Sequence, residues 1–157
     1  MWTTTKAIDF CAGHRLLNYD GKCAHVHGHN LRAEIEVTSA NLNTSGMVID
    51  FGLIKDAVKT WIDDRWDHGF LVNQFDYPML EFLKTNGQKH FVLDTATVEL
   101  AYGHHAGAYT GNGIAMCNPT MENLAKVLKL ATQNLFDDSH LEFGVRLYES
   151  ENGWVDV

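Results

Sequence analysis

The sequence predicts an α+β fold, an antiparallel sheet with helices packed on one face. Three observations carry this. Leu31, Ala33, Ile35 and Val37 alternate with Arg32, Glu34, Glu36 and Thr38, the period of two that belongs to a strand with one dry and one wet face. Phe51, Ile54, Val58, Trp61 and Ile62, and later Met121, Leu124, Ala125, Leu128, Ala131 and Leu135, recur at helical spacing and make two apolar stripes. Phe143, Val145 and Leu147 then alternate with Gly144, Arg146 and Tyr148, so a half-buried strand closes the order.

At the N-terminus Ile8, Phe10 and Ala12 alternate with Asp9 and Cys11, an uneven strand pattern. The turn residues Asn18-Tyr19-Asp20-Gly21 separate it from the strand at 31–38, which predicts an antiparallel pair joined by a long loop. After the polar turn from Asn41 to Gly46, Met47-Val48-Ile49 predicts a short strand and Asp50 stands where a helix N-cap belongs. The second helix is announced by Asn118 as cap and Pro119 at the first helical position. The middle, residues 74–117, holds fragments at Met79 to Leu83, Phe91 to Leu93 and Ile114 to Met116, with a Gly-rich run from Tyr102 to Gly111. A lid and an added hairpin both fit this stretch. No repeat or linker divides the chain, so one domain spanning residues 1–157 is expected.

With 45% hydrophobic and 20% charged residues and two prolines, the composition is that of an ordinary globular protein. A formal charge of −8 argues against a broad nucleic-acid surface, because such binding neutralises phosphates with Lys and Arg. Neither an apolar leader nor a membrane-length apolar run is evident, and the three cysteines Cys11, Cys23 and Cys117 form no even or repeated framework. A cytoplasmic protein with reduced thiols and no membrane partner is therefore expected.

Nine histidines are more than folding requires, and strand parity sorts them. His14 shares the parity of Ile8, Phe10 and Ala12, while His27 and His29 share that of Leu31, Ala33, Ile35 and Val37. All three imidazoles are thus expected on the dry face, with His27 and His29 about 6.5 Å apart across a glycine. Three histidines with an open fourth position form the ligand set of a catalytic zinc ion, although a lone interior histidine is more often a hydrogen-bonded core residue. His90, His104, His105 and His140 read as surface or loop histidines. Cys23, four residues before His27, fits a fourth ligand, a metal-activated thiolate that takes a proton, or an ordinary buried thiol. The pair Asp67-His68 suits a polarised imidazole for proton transfer, and adjacent Asp and His also occur by chance. Glu149 lies on the dry-face parity of the last strand. There a carboxylate is costly unless it is solvated or receives ligand hydrogen bonds.

Six ordered blocks resemble the family of 6-pyruvoyltetrahydropterin synthase and 6-carboxytetrahydropterin synthase. They are Phe10 to Leu16, Cys23 to Asn30, Gly46 to Phe51 with Lys55, Asp67-His68, Pro119 to Ala125, and Tyr148-Glu149-Ser150. The resemblance implies a T-fold: a four-stranded antiparallel sheet carrying two helices on one face, with trimeric barrels pairing as a homohexamer, a dimer of trimers. It implies Zn2+ on His14, His27 and His29, proton transfer by Cys23 with Asp67 and His68, and a pterin held by Glu149 and Thr120. The implied substrate is 7,8-dihydroneopterin triphosphate, with Arg15, Lys22 and Lys55 as candidates for its phosphates.

Three residues between Cys23 and His27-Gly28-His29, together with Ile49-Asp50-Phe51, look like the bacterial carboxy type of queuosine biosynthesis. That type releases acetaldehyde and triphosphate; a pyruvoyl synthase of the tetrahydrobiopterin type is the alternative. A non-catalytic pterin- or metal-binding T-fold module, and another T-fold enzyme acting on pterins, are the further rivals. Departures from the family pattern are Trp66 in place of Leu, the ending Leu71-Val72-Asn73, and a long segment inserted at about 74–117.

Overall fold

The computed structural model describes residues 1–103 and 113–157; His104, His105 and most of the Gly-rich run lie outside them. The two long strands β1 (Trp2–His14) and β2 (His27–Ser39) pair antiparallel from Trp2 against Ser39 to His14 against His27. The expected alternation holds. Ile8, Phe10 and Ala12 and the set Leu31, Ala33, Ile35 and Val37 are buried, and each side chain larger than alanine contributes roughly 1.5–3 kcal/mol of hydrophobic stabilisation when fully buried.

Helix α1 (Phe51–Arg65) begins at Asp50, whose carboxylate accepts from the Gly52 N–H at 2.6 Å, as the cap chemistry predicts. Ile54, Val58 and Ile62 are fully buried, whereas Phe51 is 52% exposed. The expected strand at Met47-Val48-Ile49 does not form. A loop replaces it, because the Asn43 side chain accepts from the Ser45 and Met47 N–H groups and curls the backbone.

The chain then forms β3 (Gly69–Asn73), α2 (Tyr77–Thr85), β4 (His90–Leu93), α3 (Thr95–Tyr102), α4 (Gly113–Met116), α5 (Met121–Phe136), β5 (Glu142–Ser150) and β6 (Gly153–Asp156). The sheet order is β4-β3-β1-β2-β5-β6. β5 pairs antiparallel with β2 and β6 with β5, but β3 runs parallel to β1 and β4 parallel to β3. The expected four-stranded antiparallel sheet is therefore a six-stranded mixed sheet among the described residues. Both parallel strands are short and apolar on consecutive positions, so neither carries the alternation that announces a one-sided strand.

The segment 74–117 is more than a lid or a hairpin. Its helix α2 is the crossover that a parallel strand needs, and β4 extends the sheet while α3 packs on α5. Trp66 is fully buried among Phe10, Trp61 and Phe91, with ring centroids 6.0, 5.0 and 5.9 Å away. The β4 residue Phe91 completes that aromatic cluster.

Helix α5 starts two residues later than expected. Its cap is Thr120, whose hydroxyl accepts from the Asn123 N–H, and Pro119 precedes the cap. Val127 and Thr132 join the buried stripe, while Leu135 is 42% exposed. Asn118 instead accepts from the Leu17 N–H and from the Asn73 side chain, and donates to the Leu17 carbonyl. It pins the chain leaving β1 beside the start of α5.

Candidate functional site

The end of the β1–β2 hairpin brings three imidazoles together. His14 and His27 are direct cross-strand partners, and His29 follows two residues along β2. Their ring centroids lie 4.5 to 5.1 Å apart, and one ring nitrogen from each lies within 4.8 Å of the others. Gly28 permits this packing: a Cβ there would stand 3.0 Å from the Ala12 carbonyl oxygen.

Hydrogen bonds set the tautomers. His14 Nδ1 lies 2.8 Å from the Pro119 carbonyl and His27 Nδ1 2.7 Å from the His25 carbonyl. A carbonyl only accepts, so both Nδ1 atoms carry the proton and each Nε2 presents its lone pair. Nε2 of His14, His27 and His29 is buried without a protein hydrogen-bond partner. Burial, the largest influence, holds His14 below the ordinary imidazole pKa; the Pro119 carbonyl opposes it, and the neighbouring rings His27 and His29 reinforce it. Three buried Nε2 atoms converging on one point, two of them on rings oriented by a backbone carbonyl, fit a divalent cation with an open coordination position.

Beside it lies a cleft lined by His14, Cys23, Thr120, Glu149 and Trp154. Glu149 Oε1 is 3.3 Å from His29 Nε2 and 3.9 Å from His14 Nε2, so the carboxylate faces the imidazole cluster itself. Thr120 reaches the same cleft while capping α5. Cys23 sits in a short helical turn, Lys22–Ala24, whose carbonyl group accepts from the Leu16 N–H and folds the loop back on β1. Its thiol is not among the three converging donors.

Asp67 and His68 are elsewhere in this chain. They line a groove on the wet face of the sheet with Asp9, Cys11, Arg32 and Glu34. Asp67 accepts from the Cys11 N–H at 2.9 Å and lies 2.8 Å from His68 Nδ1. Burial would raise the Asp67 carboxyl, but those two hydrogen bonds outweigh it and hold the pKa below the ordinary value. His68 has a left-handed backbone, φ 57°, uncommon for a residue other than glycine and frequent at working sites.

Arg15 does not face the cleft as a free cation. It forks onto Asp76, with Nε 2.7 Å and Nη2 2.6 Å from the two carboxylate oxygens. Lys22 and Lys55 remain exposed. The residues that sequence reasoning missed are the positioning groups, Pro119 and His25 through their carbonyls and Asn118 through its side chain. A backbone carbonyl leaves no residue-type signal, whereas the asparagine beside Pro119 was visible but read as a cap.

The chain matches the family model of 6-pyruvoyl tetrahydropterin synthase over residues 3–157. It is 36% identical over 155 residues to a 6-carboxy-5,6,7,8-tetrahydropterin synthase of Rickettsia bellii, covering 98% of this chain and 97% of that protein. Its fold is similar to a solved protein of Wolinella succinogenes, with TM-score 0.72, 22% identity and coverage of 99% and 97%. It is also similar to 6-pyruvoyl tetrahydropterin synthase of Caenorhabditis elegans, with TM-score 0.62, 21% identity and coverage of 99% and 94%.

Proposed function

Because the chain belongs to the 6-pyruvoyl tetrahydropterin synthase family, we propose that it is a zinc-dependent lyase making 6-carboxy-5,6,7,8-tetrahydropterin. The substrate is 7,8-dihydroneopterin triphosphate, and acetaldehyde and triphosphate are released, as in queuosine and deazapurine synthesis. The observation that carries this reading is the trio of buried, unpartnered Nε2 atoms on His14, His27 and His29. The carboxy product is favoured by the activity named for the Rickettsia bellii relative.

His14, His27 and His29 hold the zinc. When bound, the ion would supply Lewis acidity for negative charge developing on the substrate. Cys23, lining the adjoining cleft, accepts a proton as general base. Glu149 and Thr120 bind the pterin, the carboxylate receiving its ring and amino N–H groups and fixing its orientation.

The relay by Asp67 and His68 has a structural requirement. Cys23 and this pair lie in clefts on opposite faces of one sheet, so a relay between them draws Asp67 and His68 from a second copy of the chain. This supports the homohexamer reading, a dimer of trimers whose active sites are shared between subunits.

Incubation with 7,8-dihydroneopterin triphosphate and mass identification of the products tests the proposal. Carboxypterin with acetaldehyde is the expected result. A pyruvoylpterin would replace the product assignment, and absence of turnover by zinc-loaded protein would overturn the enzymatic one.

A further inference from the structure

We propose that Lys89, carried by the inserted segment, is a positioning residue for the Asp67-His68 pair, a role that rests on the proton-transfer function proposed for that pair. Its ammonium donates to the carbonyls of Asp63 and Asp67 and so bridges the turn that presents both side chains.

The end of α1 creates the need for such a bridge. In a regular helix the Asp67 N–H would reach the Asp63 carbonyl. Here the N–H groups of Trp66 and Asp67 both go to the Ile62 carbonyl, at 2.7 and 2.9 Å, and the Asp63 carbonyl takes the Lys89 ammonium instead. A cation at this end also meets the negative pole of the helix dipole. The second bond, to the Asp67 carbonyl at 2.6 Å, spans the exit from the helix and fixes where the chain goes next. Neither contact is an ion pair. The Asp63 carboxylate is engaged by Lys59 at 2.6 and 2.8 Å, and that of Asp67 by the Cys11 N–H and the His68 ring.

Lys89 holds the same turn from two further directions. Its carbonyl accepts from the Phe70 N–H at 3.0 Å, and its side-chain stem lies over Gly69, where a Cβ would stand 3.3 Å from Lys89 Cγ. Between these anchors His68 keeps φ at 57°, while its N–H donates to the Cys11 carbonyl at 2.8 Å. A left-handed backbone at a residue other than glycine persists only where its surroundings enforce it. The enforced turn keeps the Asp67 carboxylate 2.8 Å from His68 Nδ1. An ionised carboxylate only accepts, so Nδ1 carries the proton and Nε2 is the nitrogen that exchanges one.

Lys89→Met keeps the stem and removes the ammonium. In full-length, zinc-loaded protein turning over 7,8-dihydroneopterin triphosphate, kcat should fall about tenfold or more while KM stays within about twofold. Lys89→Arg should restore most of the loss. In a His68→Asn background, which tolerates the left-handed backbone, Lys89→Met should cost kcat nothing further, because the two residues act in one step. Equal losses in both backgrounds, or an unchanged kcat in Lys89→Met alone, would overturn the positioning role and leave the relay standing. An unchanged kcat in His68→Asn would remove the relay and the role of Lys89 in it together. Amide hydrogen exchange over residues 66–70, read by mass spectrometry, follows the turn without turnover. Exchange about fivefold faster in Lys89→Met is expected, and unaltered exchange would show that the ammonium does not hold the turn and would overturn the proposal.

Discussion

His14 Nδ1 meets the carbonyl oxygen of Pro119 at 2.8 Å, a contact between residues 105 positions apart in the chain. It ties the last residue of β1 to the entrance of α5 and directs the lone pair of the opposite nitrogen toward His27 and His29. The chain thereby sets the tautomer before any metal arrives.

Metal addition should therefore stabilise the fold. At a free zinc concentration one hundred times the dissociation constant, binding to the native state alone contributes about 2.7 kcal/mol. Urea unfolding with and without zinc checks this, and His27→Ala should abolish the histidine-site part of the gain. An undiminished gain in that variant would exclude His27 as a ligand.

Cys23→Ala is expected to keep its histidine-bound zinc and to lose about 10²–10⁴-fold in kcat, the range of general acid–base contributions. Metal analysis beside steady-state kinetics separates the two. Full activity would remove the thiol from the mechanism, and loss of zinc would recast it as a ligand.

Glu149→Gln should weaken pterin binding, because an amide accepts fewer N–H hydrogen bonds than a carboxylate and presents a donor in their path. Titration with a reduced pterin lacking the triphosphate is the measurement. Unchanged affinity with reduced zinc content would make Glu149 a partner of the imidazoles it already faces at 3.3 Å.

Arg15→Ala should destabilise the fold by about 3 kcal/mol, because it strands a buried carboxylate. Asp76 is 2% exposed and also caps α2 by accepting from the Met79 N–H. Chemical denaturation measures the loss. A variant of native stability with weaker phosphate binding would return Arg15 to the substrate.

Cys117 should resist alkylation in the native state. It is fully buried, and burial, helped by Asp94 and Glu99 against the Thr95 hydrogen bond, raises its thiol above the ordinary value of 9.0. In the window between the unfolded and the raised folded value, the native state holds the proton that the unfolded state has lost. This thiol's contribution to stability thus falls as pH rises there. Mass mapping after timed iodoacetamide treatment should find Cys11 and Cys23 modified before Cys117.

The periodic elements were legible in sequence because alternation and helical spacing are local properties of the chain. The β1–β2 hairpin, the Asp50 cap and the dry-face parity of His14, His27 and His29 all follow from them. Short, continuously apolar segments such as Leu71-Val72 carry no such signature, so β3 has no sequence signal and the fragment Phe91 to Leu93, the body of β4, has no readable partner. Asn118 was misplaced for a related reason: its side chain suits a cap or a buried junction equally, and only its partners Leu17 and Asn73 distinguish the two.

By itself the sequence determined which side chains suited to metal binding and proton transfer are present and which strand face His14, His27 and His29 occupy, since side-chain direction along a strand is set by the covalent backbone. The tertiary structure decided who meets whom: Pro119 behind His14, Asp76 around Arg15, and Asp67-His68 beside Cys11 rather than Cys23. Those pairings depend on how distant segments close on one another, and that closure is governed by burial of the whole core.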